Sequence, residues 1–320
     1  MSTYGPIALA ISLLVSAGQS TLRPDAPIKC SSCDEWNVPI APFKVFGNTY
    51  YVGTAGLSAL LITSNQGHIL LDGGLTQSAP LIAANIVKLG FKVEDIKLIL
   101  NSHAHYDHAA GIAALQRASG ATVVSSASGA EGFALGNAVP DDPQAGFGQQ
   151  DNAFPPVKNV RVVKDKDMVT VGPLSVQMHD TAGHTPGSTT WTWQSCEPPN
   201  SSPGPQALKP SRPRKCLNMV YADSISAVAA PGFRFTGDAK TPSRVEQFRK
   251  SISTVGELPC DIMITTHPMA TDLAGKLKKR GDKLPVDPFI DPQACRVLAA
   301  NAMKALDARV AEERKSEIKK

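Results

Sequence analysis

Long apolar runs are missing from this 320-residue chain. The one candidate, "PIALAISLLVSAG" at residues 6–18, falls short of the roughly 20 residues that a membrane-spanning helix needs. No later segment is apolar enough, so no membrane span is expected. Charge is also sparse, at 19% of residues with a formal net charge of +4. No basic run is dense enough to bind nucleic acid. Internal repeats are absent, which excludes a solenoid. Basic residues are missing before Arg23. A secretory signal here would therefore lack its usual positive start. Even so, a short apolar core followed by small residues at Ala17 and Gly18 fits such a signal. Residues 1–19 are expected to be removed on export to the periplasm. The rest, 42% hydrophobic over the whole chain, is long enough to bury a sizeable core. Residues 20–320 are expected to form a single domain and to act as a monomer.

Six cysteines are present, and none sits beside the histidine cluster described below. An even number in an exported protein suggests disulfides, with 15 complete pairings open. The pairs expected are Cys260–Cys295, Cys196–Cys216 and Cys30–Cys33. "CSSC" at 30–33 has no second CxxC to make a zinc ribbon.

From 44 to 72 come short β-like runs, "KVFG", "TYYVG", "SALLITS" and "HILLDGG", with a hairpin signal "NQG" at 65–67. "SAPLIAANIVKLG" predicts an amphipathic helix, "IKLILNS" a buried strand, "HAAGIAALQRASG" a helix stopped at Gly120, and "ATVVSSA" a strand. Residues 131–157 are rich in Gly, Pro, Asp and Gln and predict a long loop. Strands resume with "VRVVKD", "MVTVG", "LSVQMHDTAG", "STTWTWQ" and "NMVYADSI". The Pro/Ser-rich insert at 196–216 cannot pack a core. Its flanking cysteines would staple it at the base. A helix "SRVEQFRKSISTVGEL", a strand "DIMITTH" and a helical C-terminal segment complete the chain. This order predicts an α/β fold: an αββα sandwich, two mixed sheets face to face with helices outside.

Histidine is scarce, with only seven in the chain, yet three fall within "HAHYDH" at 103–108. His103, His105 and Asp107 alternate, so in an extended chain they would share one face. His108 breaks the alternation and points elsewhere. Imidazole and carboxylate suit zinc, which takes about three protein ligands where it keeps a position open for water. His184 in "TAGHTPG" and His267 in "ITTHPMA" also stand at strand ends. The spacing predicts a dinuclear metal site at one edge of the sandwich. His68, after the hairpin turn, is expected to be exposed, and His179 to be an ordinary strand residue.

"LLDGG" at 70–74, "NSHAHYDHAAG" at 101–111, "AGHTPGSTTWTW" at 182–193, "YADSISA" at 221–227 and "HP" at 267–268 together resemble the metallo-β-lactamase superfamily over residues 35–300. The finer features are similar to class B β-lactamases of subclass B3, whose ligands are only His and Asp. "DSIS" stands where relatives carry a zinc-bound cysteine, and the pair Cys260 and Cys295 also looks like that subclass. The resemblance implies two Zn2+ ions, the first on His103, His105 and His184, the second on Asp107, His108 and His267. It implies a small-molecule β-lactam substrate, opened by a metal-activated water that Asp107 orients. Asp223 looks like the metal-bridging aspartate of other hydrolases on this fold; the expectation is that it is not a ligand. Ser224 and Ser226 are candidates to bind the substrate carboxylate, with Trp36, Phe147 and Phe154 as apolar walls. Asp72 is expected to brace the metal turn by hydrogen bonds. A serine mechanism has no support, because the formal S-x-x-K match "SEIK" lies in the charged tail. A thioesterase or lactonase on the same fold, and a non-catalytic zinc-binding protein, stay open as alternatives.

Overall fold

The computed structural model describes residues 22–197, 215–239, 241–282 and 286–318. The expected signal at 1–19 and most of the 196–216 insert lie outside the described residues. In chain order the elements are α1 (Cys33–Trp36), β1 (Phe43–Phe46), β2 (Thr49–Tyr51), β3 (Leu60–Ile62), β4 (His68–Leu71), α2 (Ser78–Lys88), β5 (Ile96–Leu100), α3 (Tyr106–Ala109), α4 (Ile112–Ser119), β6 (Thr122–Ser125) and α5 (Ala127–Leu135). There follow β7 (Arg161–Val162), β8 (Met168–Val171), β9 (Leu174–Asp180), β10 (Thr189–Cys196), β11 (Cys216–Ala222), α6 (Val245–Glu257), β12 (Ile262–Thr265), α7 (Leu273–Gly281) and α8 (Ala294–Ile318).

Two sheets result, ordered β1-β2-β3-β4-β5-β6-β7 and β12-β11-β10-β9-β8. Both are mixed. In the first, β1 to β4 run antiparallel and β4 to β7 parallel. In the second, β11 and β12 are parallel and the remaining pairs antiparallel.

Alternation along the strands assigns each side chain to a layer. Ile69 and Leu71 of β4 and Leu98 and Leu100 of β5 enter a cluster between the sheets, where they meet Met219, Tyr221, Ile262 and Ile264. Leu70 and Ile99 point the other way and pack with Ile82 and Ile86 of α2 and Leu115 of α4. Across the sandwich, Val220 and Met263 pack with Phe248 and Ile252 of α6 and Leu306 of α8. Three apolar layers thus separate helix, sheet, sheet and helix. Burying one such Leu or Ile side chain contributes about 1.5–3 kcal/mol.

All three expected disulfides are present: Cys30–Cys33, Cys196–Cys216 and Cys260–Cys295. The second joins the end of β10 to the start of β11, which pair at that position.

Three expectations need correction. The segment 131–135 is not loop but the end of α5. Ser126 caps that helix by accepting from Gly129 N at 3.0 Å. Its glycines lower helix propensity, but Gly132 is needed for contact, since a Cβ there would lie 2.8 Å from the Ala104 Cβ. His68 is buried, not exposed; its ring meets Phe91 edge-on at 5.2 Å. "VRVVKD" contributes only a two-residue exposed edge strand, β7. His179 is a β9 residue hydrogen-bonded to Thr192.

Candidate metal centre

The parallel pairing of β4 with β5 brings two turns together at one end of the sheet. Asp72 follows β4 in the left-handed region, at φ 57°. It is fully buried and accepts from Ser102 N (2.8 Å), Ser102 Oγ (2.6 Å), Asn101 Nδ2 (3.1 Å) and Tyr221 Oη (2.8 Å). Asn101 Nδ2 also donates to the His103 carbonyl at 2.8 Å. These bonds clamp the turn that carries His103. The backbones approach so closely that a Cβ on Gly111 would lie 2.1 Å from the Gly73 carbonyl oxygen. Hence the glycines in "LLDGG" and "HAAG". Burial pushes the Asp72 carboxyl up to about 6, against the pull of His108 and its donors.

His105 is in extended backbone, but the chain turns helical at Tyr106. The alternating-face reading thus fails for Asp107: Asp107 and His108 are delivered by α3, not by a continued strand. His184 comes from the β9–β10 turn and His267 from just beyond β12.

The rings of His103, His105 and His184 lie 4.7–5.1 Å apart, each tilted steeply against the others. One ligand atom from each falls within 4.8 Å of the other two. Each ring has its outer nitrogen tied down. His103 Nδ1 donates to Asp223 Oδ1 at 2.6 Å. His105 Nε2 donates to both Asp142 oxygens at 3.2 Å. His184 Nδ1 donates to the Ser226 carbonyl at 3.0 Å. A carboxylate or carbonyl can only accept, so these partners fix the tautomers and leave the inner nitrogens as lone pairs. His103 Nε2 is buried with no hydrogen-bond partner, which costs free energy unless something binds there. Gln144 Nε2 lies 3.3 Å from His184 Nε2, on the lone pair a metal would take.

Asp107 lies between two further rings, with Oδ2 at 3.2 Å from His108 Nε2 and 3.3 Å from His267 Nε2. The His108 contact is at ion-pair distance but out of line, so both His108 nitrogens lack a hydrogen bond. The two rings are 4.8 Å apart. Asp107 and His108 also group with His103 as candidate ligands. His and Asp donors with buried, unpartnered nitrogens fit a divalent cation.

A profile of the metallo-beta-lactamase superfamily matches residues 53–196. The Rm3 metallo-beta-lactamase is 48% identical over 90% of this chain and 100% of its own, with a TM-score of 0.80. MEM-A1, a subclass B3 metallo-beta-lactamase from a soil metagenome library, is 47% identical over 88% and 99%, at 0.78. MIM-1 from Novosphingobium pentaromativorans is 39% identical over 88% and 93%, at 0.76. The chain belongs to the metallo-beta-lactamase superfamily.

The electrostatics of this superfamily member suit a metal of the divalent kind. Burial, then the His103 and His105 rings, pushes His184 down to about 3. Burial with His108 and His105 drives His103 well below its usual value. Both are neutral and able to ligate. Burial alone would raise Asp107, but His108 and His267 hold its carboxyl well below the carboxylate range. Burial likewise opposes charge on His108, yet Asp107 and then Asp72 raise it to about 9.

A cavity of about 570 Å³ opens over these groups, within the range of ligand sites. Trp36 lines it, its ring centroid 5.3 Å from that of His267. Ser224 and Ser226 also face it, though Ser224 Oγ is bonded to Thr266 and Ser226 Oγ lies 3.2 Å from His184 Nδ1. Two aromatic expectations are corrected. Phe147 is exposed and does not line the cavity, and Phe154 packs on Phe133 in the outer core. Asp142 and Gln144 were not anticipated from sequence. They lie in an aperiodic loop, where no spacing marks them.

Proposed function

We propose that the protein is a class B β-lactamase of subclass B3 that opens the β-lactam amide with two zinc ions, after export to the periplasm. The observation that carries this reading is the pair of adjoining nests beneath one cavity: His103, His105 and His184 beside Asp107, His108 and His267. The relatives of subclass B3 support the substrate. Three disulfides support an oxidising compartment.

When bound, a divalent cation at each nest lowers the pKa of coordinated water toward neutrality and polarises the carbonyl. The chain's own residues do the rest. Asp223, Asp142 and the Ser226 carbonyl aim three imidazole lone pairs at one point. Asp107 presents its carboxylate to the cavity, where it orients the attacking water, whose proton ends on the departing ring nitrogen. Ser224 and Ser226 meet the substrate carboxylate. Trp36 packs against the His267 ring at the cavity wall. Asp223 Oδ1 accepts from His103 Nδ1, and the aspartate serves as a brace for that ring.

Zinc-loaded protein should hydrolyse a carbapenem and a chromogenic cephalosporin, and a chelator should stop both. Metal-replete protein that cleaves a thioester or lactone but no β-lactam would overturn the reading. His184→Ala should abolish turnover and lose one metal equivalent by elemental analysis. Normal turnover with both metals retained would refute the ligand set.

A further inference from the structure

The cavity has two unlike walls. One is α8, which contributes Leu298, Asn301, Ala302 and Ala305 to the lining. Spacings of three and four residues place them on one stripe. A neighbouring stripe, Cys295, Ala299, Leu306 and Val310, is buried in the outer core. That core sets the rotation of the helix and so delivers the first stripe to the cavity. Val228 and Met269 continue the wall, and both leave large apolar surface in water, at 49% and 68% exposed. Surface of this kind beside a polar centre marks a place where a ligand's apolar group rests. Among the described residues no Lys or Arg lines the cavity, so recognition away from the ligands is not ionic.

We propose that the α8 wall is a specificity subsite that receives an apolar, aryl-sized side chain of the substrate. This rests on the β-lactam reading above. Ala302 and Ala305 keep the space open. Asn301, the one polar side chain of the stripe, is placed to hydrogen-bond the amide that links such a side chain to the nucleus. The subsite sets preference among substrates and takes no part in the bond-breaking step.

The test is Ala305→Trp, at an exposed helical position, with Ala302→Leu as a milder second variant. Benzylpenicillin carries a phenyl side chain, and 6-aminopenicillanic acid carries none. Both are followed by steady-state kinetics, and binding of their ring-opened products to the zinc-loaded protein is measured by calorimetry. Each variant should raise KM for benzylpenicillin and weaken its product about tenfold. The kcat should be essentially unchanged, as loss of uniform binding requires. The constants for 6-aminopenicillanic acid should not move. Equal changes for both compounds, or equal binding of both products by the unmodified protein, would overturn the subsite alone. No turnover of either compound by zinc-loaded unmodified protein would overturn the β-lactam reading and the subsite with it.

Discussion

Asp142 stands behind His105 with both carboxylate oxygens 3.2 Å from Nε2. It also accepts from Gln144 N at 2.7 Å, so it joins the loop to the metal turn. A partner of this kind raises ligand basicity and holds the ring in place, and its loss costs about 10–100-fold in metal affinity. Asp142→Ala should weaken zinc binding by that factor, seen by competition with a chromophoric chelator. Asp142→Asn, which keeps one acceptor oxygen, should recover part of it. Unchanged zinc affinity in the alanine variant would show that the contact does not orient His105.

His108 gives a pH signature in the metal-free protein. Its folded pKa is raised to about 9, above the ordinary 6.5 of an unfolded chain. A raised basic group stabilises the fold fully below the unfolded value. That contribution disappears as pH rises through the folded one. Chelated protein should therefore lose melting temperature between pH 6.5 and 9. Metal-loaded protein, whose His108 must ligate without its proton, should lack that loss. Parallel thermal melts with and without chelator decide it, and identical slopes would remove His108 from the metal site. The six candidate ligands were legible in the sequence because histidine is rare and stands at strand ends. Their braces were not. Asp142 lies in a stretch without periodicity, and nothing in the spacing around Asp223 marks His103 as its hydrogen-bond partner.

Among the elements, α8 depends most on a covalent anchor. Cys295 in its first turn is tied to Cys260 ahead of β12, closing a span of 35 residues. Chain entropy puts such a bond at about 3–4 kcal/mol. Replacing both cysteines by serine should lower stability to denaturant by that amount and raise the m-value, because the unfolded chain loses its cross-link. Because α8 also walls the cavity, KM should shift more than metal content. A variant with full stability would mean that the Leu306 and Val310 packing alone holds the helix. The strands here were legible because alternation or continuous apolar runs mark them. The helix α5 was not, because Gly129 and Gly132 argue against helix in isolation and only contact with Ala104 explains Gly132.

At the scale of the whole molecule, the layers put every candidate ligand at one end, where β5, β9 and β12 run out. Sequence order alone could predict that convergence. It could not predict the character of the cavity, because the α8 stripe and the Trp36 segment are far apart in the chain. The absence of Lys and Arg from the lining among the described residues has a consequence for the whole surface. With a net charge of only +4, the protein exerts little long-range pull on an anionic β-lactam. Attraction is confined to the metal centre, at contact distance, where salt screens least. Raising ionic strength from about 0.01 M to about 1 M shortens the screening length from about 30 Å to about 3 Å. Across that range KM for a penicillin should change less than about threefold, since exposed charges are the ones that screening weakens. Steady-state kinetics in sodium chloride at fixed zinc measure this directly. A KM that rises tenfold would mean that a cationic side chain reaches the substrate from beyond the cavity lining.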